Sequence, residues 1–174
     1  MSILQDKNQP KTPISELGEF KLIEHITKDF VAKNSNTVYG VGDDCAVIDC
    51  GDKYQLVSTD MLIEGVHFDL SYTPLKHLGY KLVAVNVSDV CAMNGVAQQI
   101  TVSISISNRF TLESIEELYL GVRLACDAFN VDLVGGDTTS SLSGICISVN
   151  TDKTSLEPDT SPVGDEFKTS ATSG

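Results

Sequence analysis

The sequence predicts an α+β fold, a largely antiparallel sheet with helices on one face. Three observations lead there. Apolar residues recur at helical intervals in two long stretches, Leu75 to Val90 and Leu112 to Phe129. Short segments around them alternate apolar and polar residues at period two, most clearly Ala97 to Ser107. The order strand, strand, helix, strand, helix, strand, strand then favours hairpin-linked strands over a strictly alternating parallel sheet.

Each element has its own local cause. Residues 1–13, rich in Gln, Lys, Asn and Pro, read as a flexible arm, and Ile14 to Phe30 follows as a short helix with Leu17, Phe20, Ile23, Ile26 and Phe30 at helical spacing. Val38 to Val41 leads into a Gly-Asp-Asp turn. Cys45 to Ile48 and Tyr54 to Ser58 form a hairpin across Asp49-Cys50-Gly51-Asp52. Thr73 is the expected N-cap of the next helix, with Pro74 at its first position; Leu75, Leu78, Leu82, Val83, Asn86 and Val90 share one face, and Gly95 stops it. Ala97 to Ser107 is a half-buried strand.

Thr111 caps a second long helix, whose stripe is Leu112, Ile115, Leu118, Val122, Ala125 and Phe129. Glu113, Glu116 and Glu117 sit early in it, where the helix dipole favours anions, and Asn130 closes it. Val131 to Val134 and Ile145 to Val149 are the closing strands. After Asn150 the composition turns to Thr, Ser, Asp, Glu, Pro and Gly, so residues 14–150 read as one domain and 151–174 as a poorly ordered tail.

Composition narrows the function classes. A net charge of −12 with a pI near 4.4 repels nucleic acid and anionic membrane, and no Lys/Arg cluster reverses that field locally. Phosphorylated ligands remain accessible to such a chain if divalent cations bridge carboxylate and phosphate. The polar opening and the lack of any long apolar run point to a cytoplasmic protein. Five cysteines, Cys45, Cys50, Cys91, Cys126 and Cys146, are odd in number and have no C-x-x-C spacing, so neither a disulfide framework nor a zinc site is expected.

Four acidic motifs fall at element ends: Gly42-Asp43-Asp44, Ser58-Thr59-Asp60, Ser88-Asp89 and Gly135-Gly136-Asp137-Thr138-Thr139. Singly, each is an ordinary turn or cap. Together they are expected to converge, and converging aspartates raise one another's pKa unless cations intervene. An oxygen-only donor set suits magnesium. Asn86 and Asp89 share a helix face, and the Gly135-Gly136 pair lets backbone N–H groups approach phosphate oxygens. There is no P-loop and no G-x-G-x-x-G fingerprint.

Gly40-Val41-Gly42-Asp43-Asp44-Cys45-Ala46, Ser58-Thr59-Asp60-Met61-Leu62, Gly65-Val66-His67-Phe68, Ala84-Val85-Asn86-Val87-Ser88-Asp89 and Leu133-Val134-Gly135-Gly136-Asp137-Thr138-Thr139 resemble thiamine-monophosphate kinase. Order and spacing agree from about Gly18 to Val149. The resemblance extends to the aminoimidazole ribonucleotide synthetase superfamily, whose amino-terminal domain is α+β and dimerises through its sheet. It implies that Asp44, Ser58, Thr59, Asp60, Asp89 and Asp137 are magnesium ligands, with Asp60, Asp89 and Asp137 at the chemistry. Gly135, Gly136, Asp137 and Thr138 would meet ATP, and His67 would contact thiamine monophosphate. The implied reaction is direct in-line phosphoryl transfer from ATP, giving thiamine diphosphate, in a homodimer. Family members continue with an Arg-Ser-Gly element and a carboxy-terminal domain, and Leu156 to Gly174 does not match them. Two alternatives stay open: a non-catalytic dimerisation and magnesium-nucleotide-binding module, and another ATP-dependent member such as aminoimidazole ribonucleotide synthetase.

Overall fold

Alternation along Tyr54–Ile63 buries Leu56, Ser58 and Leu62 on one side and leaves Val57, Thr59, Met61 and Ile63 exposed on the other, so this strand has one covered face and one open face. The computed structural model describes residues 12–154, which divide into two units meeting at Lys33 and Asn34. The first unit holds a 3-10 turn, Ile14–Glu16, and helix α1, Gly18–Thr27. The single helix expected over Ile14 to Phe30 is thus two pieces, because the Leu17 N–H closes a turn on the Ile14 carbonyl. No residue of either piece is buried.

The second unit comprises β1 (Thr37–Tyr39), β2 (Ala46–Asp49), β3 (Tyr54–Ile63), α2 (Leu75–Ala92), β4 (Gln99–Ile106), α3 (Leu112–Phe129), β5 (Asp132–Ser140) and β6 (Ile145–Thr154). The strand order is β1-β2-β3-β6-β4-β5. Every neighbouring pair is antiparallel except β4 and β5, which α3 connects in parallel. The expected α+β class and mostly antiparallel sheet hold. β1 adds a strand where only a lead-in to a turn was expected.

β6 lies in the middle of the sheet, bonded to β3 on one side and β4 on the other. It runs to Thr154, so the composition change after Asn150 falls inside a strand. Backbone pairing to β3 carries the strand through Thr154, and pairing to β4 through Asp152, without apolar residues in this stretch, and this moves the expected tail boundary. Residues 155–174, like 1–11, lie outside the described residues.

The covered face packs under α2, whose Leu78, Leu82, Val83, Asn86 and Val90 are buried as their spacing predicts. They meet Leu56, Leu62, Ile100, Val102, Ile104, Ile147 and Val149 from the strands. α2 and α3 approach closely through two glycines: a Cβ on Gly79 would lie 2.0 Å from the Leu118 carbonyl oxygen, and one on Gly121 1.9 Å from that of Lys76. Thr111 Oγ accepts the Ser114 N–H, and Asn130 adopts the left-handed conformation (φ 55°, ψ 50°), so both caps of α3 stand as expected. The start of α2 differs by one residue. Pro74 takes the N-cap position, with no side-chain cap hydrogen bond, and Thr73 belongs to the preceding turn, where its N–H donates to the Asp69 carbonyl. No helix among the described residues is long and apolar enough to cross a membrane.

Candidate functional site

The covered face of β3 and the last turns of α2 bring three of the four acidic motifs together. Ser58 and Asp60 stand two residues apart on β3, on the side facing α2, and the Ser58 hydroxyl donates to Asp89 Oδ2 over 3.3 Å. The loop before β2 closes the group from the side: the Cys45 thiol is 3.8 Å from the Asp89 carbonyl oxygen, and Asp44 is its neighbour.

The electrostatics follow from this crowding. Burial, then the charge of Asp60, hold Asp89 protonated to higher pH than an ordinary aspartate; the Ser58 hydroxyl opposes this and Asp44 adds to it. Burial, then Asp89, push the Cys45 thiol up to about 11, which leaves it an inert core residue at neutral pH. Among the described residues no three His, Cys, Asp or Glu side chains are placed to hold an ion by themselves. Oxygen atoms from one or two carboxylates and a hydroxyl nevertheless fit magnesium, which keeps waters and completes its shell with substrate phosphate.

Two expected ligands do not join. Thr59 follows Ser58 by one residue, so its side chain emerges on the open face, 3.5 Å from the Ser148 hydroxyl; only its backbone is left on the Asp60 side. Asp137 lies in the register row Met61, Ser148, Ser103, Asp137, on the open face and three strands from β3. Three strand spacings amount to roughly 14 Å. Within this unit, Asp60 and Asp44 lie near enough to Asp89 to act on its charge, without forming a three-carboxylate cluster, and Asp137 stands apart from them.

The Gly135-Gly136 segment is a strand rather than a turn. β5 is an edge strand, exposed along its whole length, and the β4–β5 register shifts between Ile100 and Thr101, leaving Val134 as the extra residue. A Cβ on Gly136 would fall 1.8 Å from the Val102 carbonyl oxygen, so only glycine lets the strands close at this row. Thr138 points to the helix side and lines a groove with Ile104, Phe110, Ile115 and Tyr119. A larger open groove of 590 Å³ continues along α3 and β5, past Tyr119, Cys126 and Leu133, away from the carboxylates.

His67 sits in the tight turn that follows β3. Its Nδ1 accepts the Ile63 N–H at 3.0 Å, which leaves the ring proton of the neutral imidazole on Nε2, facing outward. Lys81 Nζ donates to the His67 carbonyl over 3.0 Å and ties the turn to α2. Glu64, which motif reading passed over, anchors the other side: one carboxylate oxygen pairs with Arg109 and the other accepts the Ile145 N–H at 3.2 Å. Its place within the stretch leading to His67 was the available signal. Asn86 was singled out with Asp89 by their shared helix face, whereas Thr151, the cross-strand partner of Ser58, carried no sequence signal; both are buried, and each has a side-chain oxygen without a hydrogen-bond partner.

Comparison with known proteins agrees with this architecture. The family model for AIR synthase related protein, N-terminal domain, matches residues 42–152. The thiamine-monophosphate kinase of Bacillus subtilis is 35% identical over 134 residues, covering 76% of this chain and 41% of that protein. The Aquifex aeolicus enzyme of the same name is 38% identical over 128 residues, covering 74% and 40%. A solved structure described as AaThiL complexed with AMPPCP and TMP superposes with a TM-score of 0.75 at 35% identity, over 83% of this chain and 44% of that one. The chain thus spans about two fifths of the length of the curated relatives it matches. With the family model matched across more than half of its residues, the chain belongs to the AIR synthase related proteins and carries their N-terminal domain.

Proposed function

We propose that this chain supplies the magnesium and nucleotide half of a kinase that transfers the terminal phosphoryl group of ATP to thiamine monophosphate, giving thiamine diphosphate and ADP. The observation that carries this reading is the Ser58 hydroxyl bonded to Asp89, with the charges of Asp60 and Asp44 near enough to help hold Asp89 toward its protonated form. Relatives named thiamine-monophosphate kinase, and a neighbour complexed with AMPPCP, an analogue of ATP, and TMP, support it.

Asp60 and Asp89 would hold the ion together with the Ser58 hydroxyl, and Asp44 would add negative charge beside them. Bound magnesium cancels charge between the two phosphate anions that must meet. The acceptor is a phosphate monoester, already an oxyanion near neutral pH, so no strong general base is required and the protein's part is to orient and to exclude repulsion. His67 offers its outward Nε2–H to the acceptor. Gly135 and Gly136 let phosphate oxygens approach the outer edge of β5, beside Asp137 and Thr138. The open sheet face, with exposed Val57, Met61 and Ile63, is the surface we assign to a homodimer. Residues 14–150 with the end of β6 make up the binding and dimerisation domain of a cytoplasmic protein.

A second reading has a specific observation behind it. Asp137 stands apart from the other carboxylates, which favours a non-catalytic magnesium-nucleotide and dimerisation module. Incubation with ATP, magnesium and thiamine monophosphate separates the two. Turnover that Asp137→Asn abolishes supports the kinase; magnesium-dependent ATP binding without turnover supports the module. Turnover only with a different acceptor points to another ATP-dependent member such as aminoimidazole ribonucleotide synthetase.

A further inference from the structure

Two buried side-chain oxygen atoms have no hydrogen-bond partner, Asn86 Oδ1 on α2 and Thr151 Oγ1 on β6. Both residues are essentially inaccessible, at 0% and 1% exposure. Asn86 precedes Asp89 by three residues, on the face of α2 turned toward β3 and β6. Thr151 is the direct cross-strand partner of Ser58, so their side chains share that covered face. The amide orientation of Asn86 is not free to reverse. Its Nδ2 donates to the Leu82 carbonyl at 3.0 Å, and a carbonyl accepts only from a donor, so the orphan is the acceptor Oδ1.

An acceptor, a hydroxyl and a second hydroxyl already committed as donor make a complementary set. We infer that an ordered water bridges Asn86 Oδ1, Thr151 Oγ1 and Ser58 Oγ, and that through it Asn86 and Thr151 act as positioning residues for the Asp89 carboxylate. The water donates to Asn86 Oδ1 and to the Ser58 lone pair and accepts the Thr151 hydroxyl proton. That gives three hydrogen bonds, the usual complement of a buried water. Leaving either oxygen unmatched would be destabilising at full burial. Ser58, held from below, then presents its proton to Asp89 in one direction, as outer-shell groups do for metal-binding carboxylates.

The role at Asp89 rests on the ion-binding reading above; the water itself does not. The test uses the 174-residue chain and Mn2+ as a paramagnetic stand-in for magnesium, titrated well below the melting temperature. Thr151→Val should weaken Mn2+ binding about tenfold and lower the melting temperature by roughly 2–4 °C, with Thr151→Ser restoring both. Wild-type protein should show a water-to-protein NOE at the Thr151 methyl from a long-lived solvent molecule, a readout that needs no variant to fold. A Thr151→Val protein that binds Mn2+ like wild type and melts higher would overturn the inference, because deleting a hydroxyl in a dry site relieves an unsatisfied group. Absence of the NOE would overturn it as well. Wild-type protein that binds no Mn2+ would remove the ion reading and with it the role at Asp89, while the NOE and the direction of the melting shift still decide the water.

Discussion

The centre of the sheet and its β5 edge carry similar motifs under opposite physical conditions. At the centre, Ser58 and Asp89 are enclosed by α2 and by β6, and burial with like charge drives Asp89 toward its neutral form. At the edge, Gly135, Gly136 and Asp137 are exposed throughout, and Asp137 faces away from the helices. The same residue type therefore does different things: the half-buried Asp89 is electrostatically loaded and suited to helping gather a cation, whereas an edge carboxylate on an open face is ready for a ligand or partner approaching from outside. Proximity in a motif list says little about which case applies.

This contrast can be broken experimentally. The largest effect should come from the centre: Leu82→Ala removes a fully buried side chain between α2 and the sheet and should destabilise by about 2–5 kcal/mol, measured by urea unfolding. Gly136→Ala comes next. Its new Cβ would strike the Val102 carbonyl, so β4 and β5 must shift, at a cost of roughly 1–3 kcal/mol. Hydrogen exchange confined to β5 would locate the damage, and wild-type protection there would refute the close-approach explanation.

A smaller effect, with a defined sign, belongs to Asp89. The folded state holds its proton more tightly than the unfolded chain, so its contribution is most favourable at low pH. It declines as pH rises from the ordinary carboxylate range, about 4, through the raised folded value. In a chelator, the melting temperature of wild type minus that of Asp89→Asn should fall between pH 4 and 7. Taking the difference removes the contributions of Asp69 and Glu113, whose carboxyls are shifted downward by hydrogen bonds. A difference that rises with pH would contradict the crowding of Asp89 by Asp60 and Asp44. The smallest effect should be Thr139→Ala on the exposed edge, within about 0.5 kcal/mol in the same urea assay.

Much of the fold could be read one residue at a time. The stripe from Leu78 to Val90, the Thr111 and Asn130 caps and the hairpin across Asp49 to Asp52 depend on neighbours within a few residues. So does the split between Ser58 and Thr59, since period-two alternation alone sends them to opposite faces; grouping both side chains as ligands overlooked that rule. The approach of Asp44 and Asp60 to Asp89 was anticipated from motif order, though its burial was not.

Local chemistry in the chain, then, decided where helices and strands begin, which side of each is apolar, and that acidic clusters sit near their ends, because caps, spacing and alternation act over short separations. Strand order was settled only by packing. Inserting β6 between β3 and β4 is a long-range choice that buries Ile147, Val149 and Thr151 at once, and no short window of residues encodes it. That choice draws Thr151 under Ser58 and leaves Asp137 three strands away, since strands paired through backbone hydrogen bonds must stand a fixed distance apart whatever side chains they carry.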